Sequence, residues 1–313
     1  WIHNHLVSDF NFMLNLPKDL RKTLMEDCSL QTLNSIDSIN SVTNTKKYLF
    51  ETWDGNKIES VFIPDKKRNT LCLSTQVGCP LDCKFCATGL MNFKRNLTTA
   101  EIIDQYLLIA KEQGKEEITN IVYMGMGEPL LNFKNTIESL KIFIEESISR
   151  NRITVSTSGI PPKIKELADS NLKVKIALSL HSCDDTVRSK LMPINNKYNI
   201  QENLEALRYY SRKTRTRITF EYTMIKDIND SHDDIKNLVK ISNQLPSKIN
   251  IIPFNSIKHM NPGGISNRFE STPHDKILEF VQKLRENNLT VMIRETQGDD
   301  IAAACGQLAI KHS

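Results

Sequence analysis

Between residues 79 and 86 three cysteines, Cys79, Cys83 and Cys86, stand in the spacing C-x3-C-x2-C within CLSTQVGCPLDCKFCATG. Thiolates this close together suit a soft metal or an iron–sulfur cluster. A structural zinc site needs a fourth Cys or His at finger-like spacing. Cys72 lies seven residues upstream of Cys79, and no His occurs between Cys72 and His181. A disulfide plus a spare thiol belongs to secreted chains, and nothing marks this chain as secreted. A four-iron cluster on three thiolates keeps one iron open, and an open iron can hold a further ligand.

A site of that kind needs a scaffold, and 313 residues suffice for one large α/β domain plus a small appendage. The chain is 39% hydrophobic and 25% charged, ordinary values for a globular protein. Its net charge of +4 permits an RNA partner without arguing for one. No apolar run approaches the roughly 18 residues needed to span a bilayer. WIHNHLVSDF lacks the basic and apolar segments of a signal peptide. Seven cysteines, an odd number with a tight cluster, point to cytoplasmic metal and redox chemistry. The first residue is Trp1, not Met, so residues 1–45 are expected to be a truncated helical accessory region.

Residues 16–27, LPKDLRKTLMED, have Pro17 at a plausible helix start and apolar residues at helical spacing. Cys28 ends that run and reads as a small buried residue. SIDSINSVTNTKK is Ser/Asn-rich and reads as a linker. A β-meander extension follows over residues 46–69: YLFETW, an Asp54-Gly55 turn, and KIESVFIP. By position alone, Glu59 is a solvent-facing strand residue. From residue 70 to 313 strands and helices alternate, beginning with TLCLSTQ. Thr98 and Glu101 form a capping box that opens the first helix, and Pro161 opens a later one.

Six β/α units and a seventh strand follow from TLCLSTQ onward. Near-continuous apolar strands joined by helices mean a parallel sheet, and six units are too few for a closed eight-fold barrel. The expectation is an α/β partial (β/α)6 barrel with chemistry at the C-terminal ends of its strands. Cys79, Cys83, Cys86, Gly127, Glu128, Ser156, Ser179, Leu180, His181, Asn255 and Cys305 all fall at or just after strand ends. Each position alone has an ordinary turn explanation. Together they predict one shared rim.

The cysteine loop, GMGEPLLN, STSGI, ALSLH, KLMPINNKYN, PFN and DDIAAACGQL together resemble the RlmN/Cfr family of radical S-adenosylmethionine (radical-SAM) RNA methyltransferases. The resemblance runs from about residue 50 to the C-terminus, and more weakly through the N-terminal helices. It implies a radical-SAM partial barrel that binds a [4Fe–4S] cluster through Cys79, Cys83 and Cys86. Gly127, Glu128, Ser156, Ser179, Leu180, His181 and Asn255 then match the S-adenosyl-L-methionine contacts, although Leu180 serves equally as core. Cys305 matches the methyl-carrying cysteine, Glu59 the general base, and Cys72 the cysteine that resolves a transient protein–RNA link by forming a disulfide. These roles replace the surface and core readings that Glu59 and Cys305 invite in isolation.

The RNA-directed activity implied is methylation of carbon 2 of adenosine 2503 in 23S rRNA and of adenosine 37 in tRNA. That carbon is electron-poor and has no lone pair with which to take a methyl by polar transfer, so radical chemistry is needed. The family pattern also implies an electron donor such as flavodoxin, a cytoplasmic setting and a monomer. Cfr-type methylation at carbon 8 and a non-catalytic iron–sulfur RNA-binding paralogue remain the alternatives. The basic runs at residues 65–68 and 209–217, and Lys84, Lys94 and Arg95, could meet RNA phosphates, though each also reads as a solvated face. Cys183 matches no role in the family.

Overall fold

The structure, a computed structural model, describes residues 1–310. Two N-terminal helices, α1 (Ile2–His5) and α2 (Lys18–Asp27), precede a three-stranded antiparallel unit of β1 (Leu33–Asn40), β2 (Lys46–Thr52) and β3 (Lys57–Ile63). β4 (Thr70–Cys72) pairs antiparallel with β3 and begins the parallel part of the sheet. The short strands β5 (Gln76–Val77) and β6 (Arg95–Asn96) pair with each other and bracket the cysteine loop.

The winding then runs α3 (Thr99–Gln113), β7 (Asn120–Tyr123), α4 (Phe133–Glu145), β8 (Ile153–Thr157), α5 (Pro161–Asp169) and β9 (Lys175–Ser179). It continues through α6 (Asp185–Leu191), α7 (Ile200–Thr214), β10 (Ile218–Met224), α8 (His232–Ser242), β11 (Ser247–Pro253), α9 (His274–Glu286) and β12 (Val291–Ile293). The large sheet has the order β1-β2-β3-β4-β7-β8-β9-β10-β11-β12 and is parallel from β4 to β12. Seven parallel strands joined by helices are the expected partial barrel. Arg294, just past β12, places Nη1 3.6 Å from the sulfur of Met124, just past β7. A contact between strands five places apart in the sheet requires the sheet to curl.

Local chemistry explains the helix starts. Thr98 accepts from Glu101 N at 3.2 Å while Glu101 accepts from Thr98 N at 2.8 Å, closing the box at the head of α3. Asn199 with Glu202 and Ser231 with Asp234 do the same for α7 and α8. The main core lies between sheet and helices and includes Phe50, Leu71, Ile121, Val155, Ile176, Phe220 and Ile249, and a second apolar cluster with Leu81, Ala87, Met192 and Phe254 packs around the cysteine loop.

Two sequence expectations fail here. The Ser/Asn-rich stretch read as a linker is the edge strand β1, paired with β2 along its length and bulged between Ser35 and Asp37. Most of its side chains are exposed, so it carries no apolar alternation; backbone pairing, not burial, holds it. Cys28 is exposed, because α2 buries none of its residues and ends in solvent.

Candidate functional site

The cysteine loop is shaped by close backbone packing. Gly78 has φ 74°, and a Cβ there would stand 2.3 Å from the Asn92 carbonyl oxygen. Within the loop Cys86 N donates to Cys83 O at 3.1 Å and Gly89 N to Cys86 O at 3.0 Å. Ala87 N donates to Gly306 O at 2.6 Å and Thr88 Oγ1 to Leu308 O at 2.5 Å, so the loop is tied to the irregular strap that carries Cys305.

Cys79, Cys83 and Cys86 line one wall of a cleft of about 930 Å³ that is open to solvent. Burial pushes the Cys79 thiol up to about 12 and that of Cys83 well above its ordinary value, and raises that of Cys86. The thiols feel one another's charge, so as bare thiolates they would repel. Among the described residues no group of three His, Cys, Asp or Glu is arranged around a single ion. The nearest imidazole, His181, spends Nδ1 accepting from Thr223 N at 2.9 Å. Burial, with the Arg188 charge adding to it, holds the His181 pKa down at about 3. Three thiols from one short loop, all lining the cleft, suit a [4Fe–4S] cluster with one open iron.

The opposite walls are the strand ends. Gly127, Glu128, Ser156, Ser179, His181, Asn255 and Cys305 all line the cleft. Gly127 has φ 97° and lies against Gln76, where a Cβ would meet Gln76 Cβ at 2.5 Å. The Glu128 carboxylate is buried and accepts from Leu130 N at 3.1 Å and Ser158 N at 2.7 Å. Burial raises its pKa despite these hydrogen bonds. Asn255 donates from Nδ2 to Cys305 O at 3.0 Å and accepts from Thr296 Oγ1 at 3.1 Å, so it positions the strap. Leu180 is wholly buried in the core and does not line the cleft.

Cys305 is an exposed free thiol at the cleft, and Cys72, also free, lies buried at the end of β4. Burial, reinforced by Cys305 and opposed by the Arg294 guanidinium, pushes the Cys72 thiol up to about 12. Glu59 on β3 is buried rather than solvent-facing. Lys47 Nζ stands 3.0 Å from its Oε1, and Ala309 N donates to Oε2 at 3.0 Å. Burial nonetheless raises its pKa. Neither Glu59 nor Cys72 lines the cleft itself.

Sequence reasoning passed over several residues that shape this site. Arg188, wholly buried, donates from Nε to Leu180 O at 3.0 Å and from Nη1 to Asn195 Oδ1 at 2.7 Å. Its Nη2 donates to Ser158 O at 2.7 Å and Ser179 O at 2.8 Å, so it clasps the ends of β8 and β9. Glu221, Thr223 and Arg294 line the cleft. The strand RITFEYTMI could have revealed Glu221, since it is the one carboxylate amid β-branched and aromatic residues typical of a central strand. Arg188 gives no such signal from its neighbours in sequence.

Residues 73–239 match the family model of the radical-SAM superfamily, and residues 1–30 match that of the ribosomal RNA large subunit methyltransferase N-terminal domain. A probable dual-specificity RNA methyltransferase RlmN of Dictyoglomus turgidum is 45% identical, with 98% of this chain and 88% of the relative covered. Its counterpart from Thermus thermophilus is 43% identical over 99% of this chain and 87% of the relative. The crystal structure of a radical-SAM methyltransferase from Sphaerobacter thermophilus superposes with a TM-score of 0.92 at 39% identity, covering 98% of this chain and 90% of that one. With its cysteine triad, its curled parallel sheet and relatives matched over nearly their whole length, the chain belongs to the RlmN family of radical-SAM RNA methyltransferases.

Proposed function

We propose that the protein methylates carbon 2 of adenosine in 23S rRNA and tRNA, carrying the new carbon on Cys305. The observation that carries this reading is the placement of the Cys305 strap. It is fastened to the cysteine loop through Gly306 and Leu308, to the rim through Asn255, and to Glu59 through Ala309. When bound at Cys79, Cys83 and Cys86, the cluster and S-adenosylmethionine supply the methyl group and the radical initiation that an electron-poor ring carbon requires.

The chain's own residues do the rest. Glu128, with backbone donors on both oxygens, is poised to accept from an ammonium at the cleft wall. Asn255 holds the strap so that the Cys305 sulfur faces the cleft. Glu59 takes the proton from carbon 2, a role that burial favours by raising its basicity. Cys72 then attacks the Cys305 sulfur. The S–S bond forms as the S–C bond breaks, and the electron pair goes to the carbon, which takes a proton to become the product methyl. An electron-donor protein such as flavodoxin completes the cycle.

The reading is tested by nucleoside mass spectrometry of rRNA and tRNA before and after treatment with reconstituted protein. We expect 2-methyladenosine in both. Appearance of 8-methyladenosine would move the protein to carbon-8 chemistry, and no methyladenosine at all would overturn the reading.

A further inference from the structure

The tip of the β2–β3 hairpin presents Trp53, 74% exposed, beside a turn closed by Gly55 at φ 75°. Exposed indole this large is unusual on a surface that carries no other tryptophan except Trp1. It is not loosely held. The Arg95 guanidinium lies over the ring, 5.5 Å from its centroid. Arg95 is itself locked from both sides. Nε and Nη2 donate to Asp54 at 2.7 and 2.9 Å, and Nη1 and Nη2 donate to Glu101 at 2.8 Å each. Nη1 also donates to Asn96 O at 3.1 Å. Those five hydrogen bonds engage all five N–H groups of the guanidinium, so it has no donor left for a phosphate. Its remaining function is to hold the indole from one face, and the rest of the ring is left to solvent.

The platform adjoins the chemistry. Arg95 pairs with Val77 in the β5–β6 ladder, two residues before Cys79. The exposed Phe93 and Lys94 lie just before β6, the Phe93 Cα 3.2 Å from where a Gly78 Cβ would stand. An adenosine whose carbon 2 is to react must leave its stack or lie in an unpaired segment, where its neighbours too can be unstacked. A fixed aromatic face is a general solution for holding an unstacked base.

We propose that Trp53, buttressed by Arg95, is a stacking platform for an unpaired nucleobase of the RNA substrate. This rests on the adenosine-methylating reading above. The test uses the full-length, cluster-loaded protein and a ribooligonucleotide stem-loop with the target adenosine in its loop. In a Trp1→Phe background Trp53 is the sole tryptophan, and its emission should be quenched saturably by the stem-loop. Trp53→Ala should raise the Kd for that RNA by roughly 5- to 150-fold, and Trp53→Phe should restore much of the loss. Iron content and circular dichroism confirm that each variant is folded and loaded.

Unchanged Trp53 emission while fluorescence anisotropy of labelled RNA reports binding would overturn the platform, as would an unaltered Kd in Trp53→Ala. So would a variant that binds RNA normally but accepts electrons more slowly from flavodoxin, which would make the surface a protein contact. If the wild-type protein itself leaves the stem-loop unmethylated, it is the carbon-2 reading that fails.

Discussion

The proposed reaction rests on Cys305, Cys72 and Glu59, and their surroundings make separate demands. Cys72 is buried and its thiol is pushed up to about 12, so its thiolate forms only when something favours it. Cys72→Ala should leave methyl loading of Cys305 intact and trap the protein–RNA adduct, with turnover down by more than roughly 100-fold. A denaturing gel that shows no adduct counts against the role. Glu59 is covered by the Ala309 N–H and paired with Lys47, so the proposed proton transfer requires the Ala309 contact to open.

His181 makes a different demand, on stability. Its folded pKa of about 3 lies below the ordinary 6.5, so the folded site keeps it neutral while the unfolded chain binds a proton. That contribution is intact above pH 6.5 and is lost as pH falls from 6.5 toward 3, by up to about 1.4 kcal/mol per pH unit. His181→Gln should flatten this part of the profile, measured by denaturant midpoints between about pH 6.5 and 5. An acid slope identical to wild type would refute the assignment. At this scale the sequence was informative wherever a residue sits in a short motif, as with Cys79, Glu128 or Asn255. It was silent about Arg188 and Arg294, whose partners lie far away along the chain.

At the scale of elements, the loop between β5 and β6 and the ends of β8 and β9 are the parts whose shape decides the site. Replacing Cys83 by Ala should abolish the brown iron–sulfur absorbance after anaerobic reconstitution and reduce bound iron to background. Retention of a full cluster would remove Cys83 from the ligand set. Arg188→Met should cost about 3–5 kcal/mol, because the Ser158, Ser179 and Leu180 carbonyls lose a buried charged donor. Thermal denaturation reads this directly, and a near-neutral result would mean that the carbonyls find other donors. α3 and α5 were legible because they announce their starts, with Thr98 and Glu101 before the one and Pro161 at the head of the other. β1 was not legible, since its pairing with β2 leaves no trace in a pattern of serines and asparagines. The brevity of β12, which ends at Ile293, was hidden as well.

Across the whole molecule, the N-terminal helices and antiparallel strands are joined to the parallel sheet by continuous pairing from β1 to β12. A second fastening runs through Asp104 on α3, whose carboxylate accepts from Thr32 Oγ1 at 2.7 Å and from Leu33 N at 3.3 Å. Asp104→Ala leaves those donors unsatisfied and should lower amide protection along β1 by roughly 10-fold or more in hydrogen exchange. Unchanged protection would show that the β1–β2 ladder alone secures the edge. The order of strands in the parallel sheet was readable from alternation alone. Its curl was not, since that depends on contacts such as Arg294 with Met124 between residues 170 positions apart.

The strap's attachment to the cysteine loop has one more consequence. Ala87 N holds Gly306 O and Thr88 Oγ1 holds Leu308 O, so any loosening of the loop is transmitted within one or two residues to Cys305, the exposed thiol of the pair. Cys305 therefore doubles as a gauge of the loop's integrity. Its rate of alkylation by a small reagent such as iodoacetamide reads out, on one sulfur, whether the loop and a strap 220 residues further along the chain are correctly assembled.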